Sequence, residues 1–354
     1  MKKKGMKIRH RLYMLKERFK ADVLVPVCRK SNFLSDLYYF LFSNEFTREH
    51  RKVLNGKYLH MQALKKNQPN AFHLRRQIHR LEKGLIMKNR RRVFALDYIL
   101  DTVKNYKIIT EGMEKQSIPT DLGLLQWASA VIQNYFSSVD DHVIIAKAKD
   151  IFYSTQHQCE ITNDHVPYIK RSIKQTSVTF DGLFSLALQR RSVRWYLNKP
   201  VDRSLIEQAV SIASMSPSAC NRQPFEFRVF DAEEIKNKVG SVPMGIRPFY
   251  QQIPVFVVVV GKLSAYLSER DRHVIYIDGG LAAMSFMLAL ETLGLSSVPI
   301  NWPDIERFER KMEKLLGLAD DERPIMLIGV GHGDLDSLIP FSQKKSSQVL
   351  IKYN

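Results

Sequence analysis

Three short polar turns carry the side chains best able to do chemistry. In "QRRSVR", Arg190, Arg191, Ser192 and Arg194 lie within five residues. Their guanidinium forks and hydroxyl suit a phosphate, gripped by charge-assisted hydrogen bonds worth about 1.5–3 kcal/mol each. The same arginines also suit a helix C-terminus, where cations complement the macrodipole; spacing alone leaves both roles open. In "SMSPSACNRQPFEF", Pro217, Ser218, Ala219, Asn221 and Gln223 crowd hydrogen-bonding groups and small residues into one turn before an apolar run. Near the end, "IPFSQKKSS" adds Ser342, Lys344 and Lys345, a pattern that a solvated tail also explains.

Other signatures of chemistry are missing. The chain has no G-x-S-x-G elbow, no G-x-x-x-x-G-K-[ST] loop, no H-E-x-x-H and no paired C-x-x-C. Asp278-Gly279-Gly280 lacks the G-x-G-x-x-G spacing of a dinucleotide loop, and its small residues are better explained by close packing of a helix. His79 and Glu82 stand at i, i+3 without a third metal ligand, which favours a helix-surface ion pair. Cys28, Cys159 and Cys220 are too few and too scattered for a disulfide framework or a zinc site. Cys220 lies inside a polar turn with only Arg222 to favour its thiolate, so it reads as a small packed residue.

Two kinds of element must position these turns. The first half reads as helical: "SDLYYFLFSNEFTREHRKVLNGKYLHMQALKK" with an Asn-Gly stop, a basic helix in "FHLRRQIHRLEKGL" ending at Gly84, "RRVFALDYILDTVKNYKIITEG" ending at Gly112, and "DLGLLQWASAVIQNYFSSV" capped by Asp121. From about residue 177 helices alternate with strands. "SVTFDGLFSLALQRRSVRWY" predicts a helix of about ten residues, and "PVDRSLIEQAVSIASMS" a second one opened by Pro200 and Asp202. Strands are expected at "FEFRVF", "PVFVVVVG", "SSVPIN" and "PIMLIGVG", and "VIYIDGGLAAMSFMLALETLG" is a helix apolar nearly all round, fit for the middle of a domain. The division expected is residues 1–176, basic and mainly helical, and residues 177–354, a layered α/β or α+β domain.

Charge follows the same division. Of the net +18, residues 1–180 carry 33 Lys/Arg against 16 Asp/Glu, while residues 181–354 carry 21 against 20. Such asymmetry points to an anionic partner for the first half, such as RNA, a membrane surface or a nucleotide-sugar, or else to a solvated basic surface. No run approaches the roughly 20 apolar residues that span a bilayer, the longest being "IPVFVVVVG", and no apolar stretch follows the basic start; a soluble, cytoplasmic protein is expected.

In this order the motifs resemble the nitroreductase family of flavoenzymes. The specific part is "RRSVRWYLNKPVDRSLIEQAVSIASMSPSACNRQPFEFRVF", supported by "GLSSVPIN" and "LLGLADDERPIMLIGVGHGD". The resemblance implies an α+β fold of three layers, with a central mixed sheet and a long central helix. It also implies noncovalent FMN at a homodimer interface and ping-pong transfer of electrons from NAD(P)H (NADH or NADPH) to a small-molecule acceptor. By position it assigns the FMN phosphate to Arg190, Arg191 and Ser192, the pyrimidine edge of the flavin to Arg194, and the closing of the phosphate site to Lys344 and Lys345. Pro217, Ser218, Ala219, Asn221 and Gln223 match a turn that approaches the flavin from the partner subunit. Hydride transfer to flavin requires no general acid or base, so no catalytic side chain is expected. Trp302 and Pro303 depart from the glycine-rich sequence of many relatives and predict a narrower pocket over the flavin. "RRQIHRLEKGL", Arg75 to Leu85, resembles an extension on a subset of these proteins associated with bacterial surface-polysaccharide gene clusters. The alternative expectation is a polyanion-binding module fused to a secondary or non-reductase flavin domain.

Overall fold

The computed structural model describes residues 2–43, 46–115, 121–155 and 165–353. Cys159 lies outside them. At the N-terminus α1 (Lys2–Phe19) runs through a π-helical turn into the short α2 (Val25–Cys28), followed by α3 (Asn32–Phe42). These helices pack chiefly on one another. The single helix expected across the next stretch is two, α3 and α4 (Thr47–Lys65), and α4 continues through the Asn-Gly pair. Packing explains the continuation. A Cβ on Gly56 would lie 2.7 Å from the Leu263 carbonyl carbon and Cβ, so glycine is what lets α4 lie directly on that turn.

Four more helices follow: α5 (Ala71–Leu85), α6 (Ile99–Glu114), α7 (Leu122–Ser137) and α8 (Val143–Tyr153), the last with no counterpart among the expected elements. Caps set three of their starts, with His142 Nδ1 accepting from the Ile144 N–H at 3.1 Å at the head of α8. Asn70 accepts from the His73 N–H at 2.9 Å, and Asp121 accepts from the Leu124 N–H at 3.0 Å as expected. α6 runs past Gly112, and α5 ends one residue past Gly84. The apolar faces of α5 to α8 enclose one core that includes Leu74, Ile78, Tyr106, Val131, Tyr135 and Phe152.

The second half is α+β. α9 (Phe180–Gln189) has the expected ten residues, and α10 (Arg203–Ala213) is capped by Asp202. Then come β1 (Phe225–Phe230), α11 (Glu233–Gly240), β2 (Val255–Lys262), α12 (Val274–Thr292), β3 (Ser296–Asn301), α13 (Glu306–Leu316), β4 (Glu322–Gly331) and α14 (Ser347–Leu350). The four strands lie in the order β1-β2-β4-β3, each pair antiparallel, with Phe227 opposite Val259 and Val298 opposite Gly329. The sheet is thus less mixed than expected; the parallel pairing among the described residues is the isolated bridge between Ser192 and Ser297. The connections between strands are long enough to allow either direction, so their direction is a tertiary outcome.

β2 shows why its apolar run is unbroken. Val255, Val257 and Val259 face α10 and α12, whereas Phe256, Val258 and Val260 face α11 and α13. With both faces covered, successive residues are all buried and the strand loses its alternation. α12 lies directly on this sheet: a Cβ on Gly279 would come 2.5 Å from the Ile325 Cδ1, as the close-packing reading of its small residues requires. By length and composition the stretch Glu269–Thr292 meets the measure of a membrane span, contrary to the expectation that none comes near, but half of that window is buried against the sheet.

A buried charge network joins α4 to this layer. Arg48, with its side chain 4% exposed, bonds Asp304, Glu306 at 2.8 Å and Glu309 at 2.8 Å, and Lys52 meets Glu313 at 3.0 Å. Arg323 adds Asp304 at 3.1 Å and Glu309 at 3.4 Å. Trp302 belongs here as well: its indole N–H donates to Glu309 at 2.5 Å in the interior. The expected pocket-narrowing role of Trp302 is therefore replaced by a structural one, because a buried indole N–H needs an acceptor.

Candidate functional site

The "RRSVR" turn is held between α9 and the edge strand β3. The Arg190 N–H closes α9 on the Leu186 carbonyl, and the extended chain beyond runs beside β3, where the Val193 N–H donates to the Ser297 carbonyl at 3.1 Å. Two polar atoms here are buried without partners, Arg190 Nε and Ser297 Oγ. Glu291 near the end of α12 is close to Arg190, and burial raises its pKa. Arg194 Nη1 donates to the Ser192 carbonyl at 3.2 Å. Gln252 clamps the same turn, accepting from the Tyr196 N–H at 2.8 Å and donating to the Arg194 carbonyl. Arg191 Nη1 reaches the Phe341 carbonyl at 3.4 Å and so brings the C-terminal tail to this turn. Lys344 and Lys345 lie a few residues further on, exposed, and among the described residues no ion pair joins them to an acid.

The "PSACNRQP" turn is anchored at the other end of α12. The Ala219 N–H donates to Asp278 Oδ2 at 3.0 Å and the Tyr266 hydroxyl to the same oxygen at 3.2 Å. Burial raises the Asp278 pKa, and these two donors oppose the rise. Ser218 Oγ accepts from the Gln223 N–H at 3.1 Å, and the Gln223 amide donates to Asn221 Oδ1 at 3.1 Å. Cys220, Asn221 and Gln223 have φ of 54°, 52° and 50°. Non-glycine residues in this region are strained, and clusters of them mark ligand sites more often than bare connections. Pro217 is exposed, and Ala219 packs with Tyr266 and Phe72.

One chain does not bring the two turns together. Their anchors on α12, Asp278 and Glu291, are 13 residues apart, about 20 Å along the axis at the helical rise. Three residues absent from the sequence reading of the site emerge from the geometry: Ser297, Gln252 and Asp278. Only Asp278 left a signal, as a carboxylate in the first half of an otherwise apolar helix. Cys28 and Cys220 are free thiols. His79 stands 3.7 Å from Glu82, and burial lowers its pKa, so the pair falls short of the ion pair expected on the helix surface.

The second half is thus a layered α+β domain with two polar atoms buried without partners at one turn and a run of left-handed backbone at another. The Nitroreductase family matches residues 187–245 and 241–332. The matched segment lies behind a helical N-terminal region in which "HRLEKGL" lies on α5. An iodotyrosine deiodinase of Thermotoga neapolitana is 27% identical over 197 residues, 49% of this chain and 97% of its own. An FMN reductase [NAD(P)H] of Bacillus subtilis is 26% identical over 157 residues, 40% of this chain and 62% of its own. Among solved structures, a nitroreductase family protein from Streptococcus pneumoniae is 23% identical, covering 49% of this chain and all of that one with a TM-score of 0.43.

Proposed function

We propose that the chain is an FMN-dependent oxidoreductase that draws electrons from NADH or NADPH and passes them to a small-molecule acceptor, working as a homodimer in the cytoplasm. The observation that carries this reading is the pair of buried, unpartnered donors, Arg190 Nε and Ser297 Oγ, at the turn where a phosphate is expected. Unpaired buried polar atoms are costly, and a phosphate would satisfy both. Arg190, Arg191, Ser192 and Ser297 would hold the phosphate, with Lys344 and Lys345 closing over it from the tail that Arg191 tethers. Arg194 would set a fixed cation where negative charge develops on reduction. Pro217, Ser218, Ala219, Asn221 and Gln223 would come from the other copy, their strained backbone held by Asp278. When bound, FMN supplies the hydride chemistry; the chain positions the partners and keeps water out.

The dimer is supported by an apolar surface that one chain leaves open. On α12, Ile277, Leu281 and Met284 are 59%, 44% and 39% exposed, although the helix is apolar nearly all round. Phe180, Leu183, Phe184 and Leu188 on α9 extend the same kind of surface.

The test is loading and turnover. Purified protein should be yellow or take up added FMN stoichiometrically, and the loaded protein should oxidise NADH or NADPH with an acceptor from a panel of quinone, nitroaromatic, free FMN and iodotyrosine. A colourless protein that binds no FMN overturns the proposal. FMN uptake without nicotinamide oxidation would move the reading to another flavin reaction, in keeping with the deiodinase relatives. The charge asymmetry favours a second reading, a polyanion-binding first half. Binding to heparin or RNA that ignores rising salt would remove it.

A further inference from the structure

We propose that α5 and the turn at Ala219–Asn221 together form a binding site for an organic diphosphate carried by the substrate. The proposal deepens the oxidoreductase reading, on which it rests for the placement of this turn beside the reacting centre.

α5 packs against the turn, with Phe72, Ala219 and Tyr266 in one apolar cluster. Arg76, His79 and Lys83 follow Phe72 at i+4, i+7 and i+11, so they share its face of the helix. The core stripe of Leu74, Ile78, Leu81 and Leu85 is offset by two residues and lies about 200° around the axis. The result is a face on which two cations, Arg76 and Lys83, lead away from the turn, with His79 between them, its pKa lowered by burial and by Lys83.

The other arginines of α5 are engaged. Arg75 bonds Asp121 at 2.9 Å, and Arg80 bonds Asp97 at 3.2 Å while stacking 3.6 Å from the Tyr98 ring. Among the described residues no acid pairs with Arg76 or Lys83, and Glu82, 3.7 Å from His79, already accepts from the Trp127 indole at 2.9 Å.

At the head of this face stands Arg222, 8% exposed, its guanidinium 4.7 Å from the Tyr266 ring centre and its Nε buried without a partner. The neighbouring acids act on it only through space: Asp278 takes the Ala219 N–H and the Tyr266 hydroxyl as its hydrogen-bond donors, and Asp271 stands 3.5 Å from Arg270. Burial lowers the Arg222 pKa, Arg76 adds to the effect, and Cys220, Tyr266 and Asp271 oppose it. A buried guanidinium whose Nε has no hydrogen-bond partner and which has Arg76 beside it offers donors that an anionic ligand would satisfy. Arginine forks fit phosphate oxygens bidentately. From Arg76 to Lys83 is about 10 Å of helix, long enough to engage more than one anionic group.

The test titrates inorganic pyrophosphate into the FMN-loaded protein by calorimetry. Arg76→Gln and Arg222→Gln should each weaken binding roughly ten- to hundredfold, whereas Lys88→Gln, at an exposed lysine just past α5, should not. Binding should also fall with salt. FMN content of Arg76→Gln, read from visible absorbance, should equal that of the wild type. Unchanged pyrophosphate affinity in Arg76→Gln and Arg222→Gln, or no binding to the wild type, overturns the proposal. So does binding lost only in Arg190→Gln, which would put the anion in the expected flavin-phosphate site. A protein that takes up no FMN, yet binds pyrophosphate in an Arg76-dependent way, would sink the flavin reading and leave this site standing.

Discussion

Cys220, Asn221 and Gln223 hold left-handed φ values that glycine would adopt freely, and the turn keeps side chains there all the same. Asparagine tolerates this region because its short polar side chain bonds locally, as Asn221 does with the Gln223 amide. Asn221→Gly should therefore keep the melting temperature while removing the amide, and FMN retention should weaken about two- to tenfold, measured by equilibrium dialysis of the loaded protein. Equal retention would mean that the turn does not touch the flavin. Residue types made this turn and "RRSVR" stand out in the sequence. The partners that orient them did not, because Gln252, Ser297 and Asp278 lie 56 to 105 positions away from the residues they contact and carry no local pattern.

The elements owe their existence to local patterns and their limits to packing. The strands and α9 fall where periodicity put them, since apolar runs and caps are local properties. α4 disobeys its Asn-Gly stop because Gly56 serves a contact with Leu263 that only the folded chain contains. Gly56→Ala should cost about 1–3 kcal/mol, seen as a lowered melting temperature, because the atoms its Cβ meets are backbone and Cβ that cannot swing aside. A histidine at the same junction gives a pH dependence. His60 Nδ1 contacts the Ser264 carbonyl at 2.8 Å, and burial lowers its pKa below the usual value near 6.5. Protonation is then harder in the folded than in the unfolded chain, so the contribution is whole above about pH 6.5 and is lost as pH falls towards the folded value. Thermal melts from pH 8 to pH 5 should fall across this window, with the fall shallower in His60→Gln.

The whole molecule couples a helical region to a layered domain through Gly56, the Arg48–Glu309 network and the contact of α5 with the Ala219–Asn221 turn. It also leaves the outer face of α12 open. Leu281→Arg should convert a dimer to a monomer by light scattering and lower FMN retention with it, because the proposed site draws a turn from each copy. A dimer that persists with full FMN content would place the interface elsewhere. The sequence by itself determined the helices and strands, the charge asymmetry, and the polar turns that place residues 177–354 near a flavoenzyme family, since these depend on residue type and short spacing. Tertiary structure alone decided the antiparallel sheet, the docking of α4, the burial of Trp302 among charges, and the separation of the two turns to opposite ends of α12. Those outcomes depend on contacts between residues far apart in the chain, whose geometry exists only once the layers have packed.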